Sequence, residues 1–418
     1  MHAADLAPVA PGAQTQSGWD LFLIFAAANI VATTLQVGAS LAAVPGTGWM
    51  LALVLVGVPL GAALVAALAP VGSRLGVPSM VAARAVLGHR GAAIVATVLF
   101  VTNFAWIAVN NVIAASVVVP WLPDGIDPRV AAALLGVVAT AIAAGGPAMV
   151  RRADRVAVPS MALAGLVITW AVVRAWRGDV PAAPATLTPL TGLDVVAGYQ
   201  VSWLLMFADY SRFTRSARVS AWAVWLGLTL TAWWLMPLGW ALARLAGGSD
   251  PGAMLGAVDA GIAAALLITL ATVTTNFVNI YLSSLAWRSV MPVVPESAAV
   301  WTVGLVGTAL GALSAVWLDR FAAFMTVVGA LLVPVGGVLV AHFVVRRAWP
   351  RVADLYDASG PLGGVRWTGL VAWAIGIAVY ALFSGTAATA PAFIAAVAAY
   401  LVLEKLIGGQ TPFQPGPE

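Results

Sequence analysis

Residues Ala264 to Trp287 read AALLITLATVTTNFVNIYLSSLAW. The run is long and apolar enough to cross a bilayer as a helix, yet its middle carries Thr272, Thr274, Thr275, Asn276 and Asn279. A side-chain amide left unpaired in hydrocarbon costs on the order of several kcal/mol. These groups must therefore face protein, water, an ion or a solute, and a polar patch at membrane depth is a binding-site hypothesis from the start.

The rest of the chain agrees with a membrane setting. Of its 418 residues, 62% are hydrophobic and 9% charged, with a mean hydropathy of +0.98. A soluble domain carries roughly a quarter charged residues, so that class is excluded. Cysteine is absent, which removes disulfides, thiolate catalysis, zinc–thiolate and iron–sulfur sites. The basic residues lie between apolar stretches and form no patch interleaved with aromatics, so nucleic acid is not an expected partner.

A helix needs about 20 apolar residues to cross the hydrocarbon, and twelve segments meet that need. They run approximately 21–43, 50–69, 92–119, 130–148, 156–173, 193–207, 221–245, 257–285, 298–318, 321–345, 368–383 and 391–407. With the N-terminus in the cytoplasm, fifteen Arg and Lys residues fall inside and five outside, as the positive-inside rule requires. A single miscounted span would scramble that separation. Residues 1–20 read as a cytoplasmic tail and not as a signal peptide, 21–407 as one transmembrane domain, and 408–418 as a second cytoplasmic tail.

Four spans carry polar groups near mid-depth. The first has Asn29, Thr33, Thr34 and Gln36, the third Asn103, Trp106, Asn110 and Asn111, and the sixth Gly198, Tyr199, Gln200 and Ser202. The eighth is the stretch quoted above. Trp106 and Asn110 are four residues apart and share a helical face. Aromatic faces stack on planar rings, and amides offer a donor and an acceptor together, which suits the edge of a nucleobase or similar heterocycle. Carbonyls freed by an unwound first helix, with the hydroxyls of Thr274 and Thr275, suit a small hard cation such as sodium.

Plainer readings exist for each residue. A lone Trp in a span is more often packing, Thr commonly bonds its own helix, and Asn110 or Asn276 can be interhelical glue worth only ~0.6 to 2 kcal/mol. The co-occurrence in four spans favours a site. Asp209, beside Arg212 and Arg215, reads as an ion pair or cap at the membrane surface, and Asp259 as solvated. His2, His89 and His342 lie in tails or near span ends, which argues against a membrane-embedded enzyme. No charged pore stripe suggests a channel.

Three segments also resemble one family, the nucleobase:cation symporter-1 permeases for purines, cytosine, hydantoins and allantoin. Gly76–Ala92, GVPSMVAARAVLGHRGA, looks like its basic segment before the third span, ADYSRF (Ala208–Phe213) like the motif ending the sixth, and TTNFVNIY (Thr274–Tyr281) like the eighth. The resemblance implies an all-α integral membrane protein of LeuT type, with 5+5 inverted repeats and two accessory helices. It implies a sodium site from the carbonyls of Ala26, Asn29 and Ala271 and the hydroxyls of Thr274 and Thr275. Substrate would stack on Trp106 and meet Asn110, Asn276 and Asn279, while Asn29, Tyr199, Gln200 and Ser202 complete the pocket where the first and sixth helices break.

One position departs from the family pattern. Gln200 stands where a second stacking aromatic is usual, with Tyr199 where Gly is common. Either Tyr199 stacks after a one-residue slip, or Gln200 bonds the ring's edge. The expected function is import of a nucleobase or related heterocycle, with sodium or protons, across the plasma membrane by alternating access. An amino-acid or amine carrier on the same fold is the alternative. A monomer in the bilayer is expected, with no tightly bound cofactor.

Overall fold

The chain enters its first span through Ser17. The Ser17 hydroxyl accepts the Asp20 N–H at 3.1 Å, and the Asp20 carboxylate accepts the Ser17 N–H at 3.0 Å, a reciprocal cap that satisfies donors a helix start leaves open. The structure is a computed structural model that describes residues 7–176, 178, 185–291, 293–313, 317–407 and 414–415.

Among the described residues, seven helices are long and apolar enough to cross a membrane: Gly46–Leu75, Arg84–Trp121, Ala217–Ala246, Gly261–Tyr281, Glu296–Leu313, Phe321–Val345 and Thr389–Leu406. Gly18–Asn29 and Ala32–Ala43 form one further span bent by 59°. Pro128–Ala144, Pro159–Ala175 and Trp367–Leu382 are shorter apolar helices. The sixth span, Pro189–Val201, tightens into a 3-10 segment over Ser202–Met206. Among the described residues, each of the twelve apolar segments is thus helical over most of its length.

Two helix starts lie well upstream of the hydropathy limits. The third helix begins at Arg84, ahead of residue 92, because the chain continues through a kink at Gly88 with φ 76°. A side chain there would put its Cβ 2.2 Å from the Gly364 carbonyl, so glycine allows the basic segment to dock on the loop after the tenth span. The fifth helix begins at Gly146. Arg151, Arg152 and Arg155 end the apolar window, but Arg is a good helix former, so the helix extends where hydropathy does not.

The spans sort into two packed groups. The seventh packs on both halves of the first and on the second, which also meets the sixth. The third, fourth, eighth and ninth pack on one another, and the fifth lies against the eighth. The tenth covers the sixth and carries the eleventh and twelfth. Contact between the first and seventh spans is at backbone distance: a Cβ on Gly38 would lie 2.0 Å from the Met236 carbonyl, and one on Gly239 would lie 1.9 Å from that of Leu35. With no hydrophobic drive between helices in lipid, such close approach supplies the packing.

The described residues also include one short ladder. Ala348–Trp349 pairs antiparallel with Gln414–Pro415, tying the C-terminal tail to the loop beyond the tenth span. At that end Glu404, 4% exposed, accepts hydrogen bonds from Arg366 at 2.9 Å and Thr368 at 2.6 Å, and from Arg346. A carboxylate buried this deeply requires such partners.

Candidate functional site

The first span breaks at Ile30 and Val31, whose backbones leave the helical region (ψ 74° and 158°). Asn29 closes the first half and is fully buried. Its Nδ2 donates to the Leu228 carbonyl at 3.0 Å and to Thr231 Oγ1 at 2.9 Å, both on the seventh span. Its main-chain carbonyl accepts from Thr34 Oγ1 at 2.6 Å, which restores a bond the break would cost. Its side-chain oxygen is buried without a partner among the described residues. The Ala26 carbonyl accepts the Ile30 N–H at 3.0 Å.

The sixth span comes to the same place. Tyr199, 1% exposed, brings its hydroxyl to 2.5 Å from Thr34 Oγ1 and 3.4 Å from Thr33 Oγ1. Ser202, at the start of the 3-10 segment, donates its hydroxyl to the Tyr199 carbonyl at 2.6 Å. Close packing seats this helix, because a Cβ on Gly198 would lie 2.3 Å from the Met325 carbonyl of the tenth span.

Trp106 meets Tyr199 edge to face, with ring centroids 6.2 Å apart and planes at 63°. On another side it meets Phe324 of the tenth span at 5.0 Å and 69°. Three spans therefore converge their rings beside the break of the first. Such geometry is the one aromatic quadrupoles favour. Phe324 escaped the sequence reading, since a Phe in a mostly apolar span gives no local signal.

Gln200 points elsewhere. It is fully buried, its Cβ packs against Gly61 of the second span, and neither amide atom has a partner among the described residues. Tyr199, one residue earlier, is the sixth-span residue in ring contact with Trp106.

The third and eighth spans supply amides. Asn110 is buried and donates Nδ2 to the carbonyl of Trp106, on its own helix, at 2.9 Å. Asn276, also buried, donates to Asn111 Oδ1 at 2.7 Å, while its own Oδ1 has no partner. Asn279 is half-buried and makes no hydrogen bond among the described residues.

Thr274 and Thr275 both donate to the Ala271 carbonyl, at 2.6 and 3.0 Å. Ala271 packs with Val31, Ile30 and Met161, so the eighth span abuts the break. A cavity of about 20 Å³ lies between Ile30, Val31, Ala32, Met161, Ile268 and Ala271, enough for one water-sized particle. The described residues that line it carry apolar side chains, so any oxygen they offer it is a main-chain carbonyl. The hydroxyls of Thr274 and Thr275 are one turn along the eighth span, on the Ala271 carbonyl. Neutral carbonyls and hydroxyls are the donor type that fits a hard cation of low charge. The orphaned Asn29 side-chain oxygen is one more acceptor at the break.

Residues 8–408 match the family described as permeases for cytosine and purines, uracil, thiamine and allantoin. The chain belongs to this permease family. The cytosine permease of Escherichia coli O157:H7 is 24% identical over 349 residues, covering 82% of this chain and 80% of that one. Among solved structures, the nucleobase-cation-symport-1 transporter Mhp1 superposes in its inward-facing form with a TM-score of 0.84. That match has 19% identity and covers 99% of this chain and 95% of that one.

The closed, bromovinylhydantoin-bound form of Mhp1 gives a TM-score of 0.81 at 18% identity, covering 98% of this chain and 96% of that one. A Na+-coupled sialic acid symporter gives 0.63 at 13% identity, covering 97% and 92%. The fold is the all-α, LeuT-type transporter fold. This permease is an integral membrane transporter and not an enzyme.

Proposed function

We propose that this permease imports a nucleobase or closely related heterocycle with sodium by alternating access. The observation that carries the reading is the convergence of Trp106 and Tyr199 beside the break of the first span, next to the oxygens of Ala271 and Asn29. A flat ring stacks on Trp106, with Tyr199 and Phe324 bounding it. Asn110 turns its amide from its own helix to the ring's edge, and Asn279 adds a second polar partner. The cation sits on the carbonyls of Ala26, Asn29 and Ala271 and on Thr274 and Thr275. Family membership supports the substrate class, and the cytosine permease among the relatives is of that kind.

The inward cation gradient supplies the drive. Both termini lie in the cytoplasm, as the fifteen-to-five distribution of basic residues supports, and the unit is a monomer in the plasma membrane. Alternating access follows from rocking the first, second, sixth and seventh spans against the third, fourth, eighth and ninth. A thermal-shift screen of the purified protein against nucleobases, hydantoins, allantoin, amino acids and amines, in sodium and in potassium, tests the reading. A heterocycle that raises the melting temperature, and does so more in sodium, is the expected result. Stabilisation by an amino acid or amine alone would overturn it.

A further inference from the structure

The Thr34 hydroxyl has one proton, and it is given to the Asn29 main-chain carbonyl at 2.6 Å. The Tyr199 hydroxyl lies 2.5 Å from the same Thr34 oxygen. With the Thr34 proton committed, Tyr199 must be the donor of that second bond. The result is a directional relay from the Tyr199 O–H through Thr34 to the Asn29 carbonyl, its three members at most 1% exposed. One end carries the ring against Trp106. The other end is a carbonyl at the break of the first span.

Each member has little freedom to do anything else. Among the described residues, Thr33 and Thr34 are the only hydrogen-bond partners of the Tyr199 hydroxyl. The Asn29 side chain is pinned to the seventh span by two bonds, so its carbonyl can turn but not leave. The backbone of Tyr199 is held by Ser202 where the sixth helix changes pitch. A movement of the carbonyl toward a cation is therefore passed to Thr34 and on to the Tyr199 ring.

We propose that Tyr199 is the residue that couples the two ligands: through Thr34 it reports cation occupancy at Asn29 to the ring that closes on substrate. This rests on the assignment of Asn29 to the cation and Trp106 to the heterocycle made above. Ordering of the break by the cation leaves less ordering for the substrate to impose, which is positive coupling. By linkage the effect is mutual, each ligand raising the affinity for the other by the same factor.

The test is binding of radiolabelled cytosine, uracil, hypoxanthine and allantoin to purified wild-type, Tyr199→Phe and Thr34→Val proteins, each in sodium and in choline buffer. In wild type, sodium is expected to tighten binding of at least one probe by roughly 5- to 150-fold. In both variants that ratio is expected to fall to within about twofold of unity. A mere packing defect would weaken binding equally in both buffers and leave the ratio standing, and that result overturns the relay alone. If no probe binds the wild type, the heterocycle reading falls and the relay with it. If a probe binds with no sodium effect, the sodium assignment falls, again taking the relay with it.

Discussion

Asn276 Nδ2 donates to Asn111 Oδ1 at 2.7 Å, fastening the eighth span to the third. Asn111 reaches on to Thr308 of the ninth span at 3.4 Å. An amide that the resemblance would place against substrate is thus, in this conformation, engaged within the group of spans that forms the scaffold. Interhelical amide bonds in membranes are worth ~0.6 to 2 kcal/mol. A double-mutant cycle of Asn111→Ala and Asn276→Ala, read by melting temperature in detergent, is expected to show a coupling of that size. Additive losses would mean that the bond contributes nothing to the fold.

Trp106 is the broad face of the site. Trp106→Ala removes the stacking surface and is expected to abolish detectable binding of the heterocycle. Trp106→Phe retains a smaller face and should weaken binding by about tenfold, a loss of ~1.4 kcal/mol in stacking. Equilibrium binding with radiolabelled ligand measures both. Normal affinity in the Ala variant would show that the ring sits elsewhere.

Thr274 and Thr275 share the Ala271 carbonyl as acceptor, so each hydroxyl can turn to offer an oxygen to a cation. Removing one oxygen ligand should raise the sodium concentration for half-maximal effect without changing binding at saturating sodium. Thr274→Ala, assayed by substrate binding across a sodium titration, is expected to shift that midpoint by about tenfold, equivalent to ~1.4 kcal/mol. An unchanged midpoint would remove Thr274 from the cation site.

The contact between Gly239 and the Leu35 carbonyl is with backbone, which no rotamer change can relieve. Gly239→Ala must force the first and seventh spans apart, at a cost of at least ~1 to 3 kcal/mol. Gly48, whose added Cβ would meet nothing within 4 Å, is the control. Fluorescence-detected size-exclusion after heating should show the Gly239 variant aggregating at lower temperature, and the Gly48→Ala protein unchanged.

The spans were legible in the sequence because hydrocarbon imposes a length and an apolar content on anything that crosses it. Helix beginnings were not, since Arg84 starts a helix in a basic segment that hydropathy reads as a loop, and Gly146 starts one inside the apolar run assigned to the span before it. The site divides in a similar way. Polar residues at membrane depth announce themselves by cost, which made Asn29, Asn110, Asn276 and the eighth-span threonines visible.

What those residues touch depends on the angular position of each helix. A difference of one residue, about 100° around a helix axis, separates Tyr199 on Trp106 from Gln200 on Gly61. Phe324 was illegible for the opposite reason: among apolar neighbours, an aromatic that lines a site looks like one that faces lipid.

The central claim is that the Trp106 site takes a heterocycle across the membrane with a cation. It is tested most directly by uptake into proteoliposomes containing the purified permease, with sodium outside and potassium inside, presented with radiolabelled cytosine, uracil, hypoxanthine and allantoin. The account predicts concentrative uptake of at least one compound, abolished by collapsing the sodium gradient and absent with Trp106→Ala. Gradient-independent equilibration, or no uptake of any of the four, would contradict it.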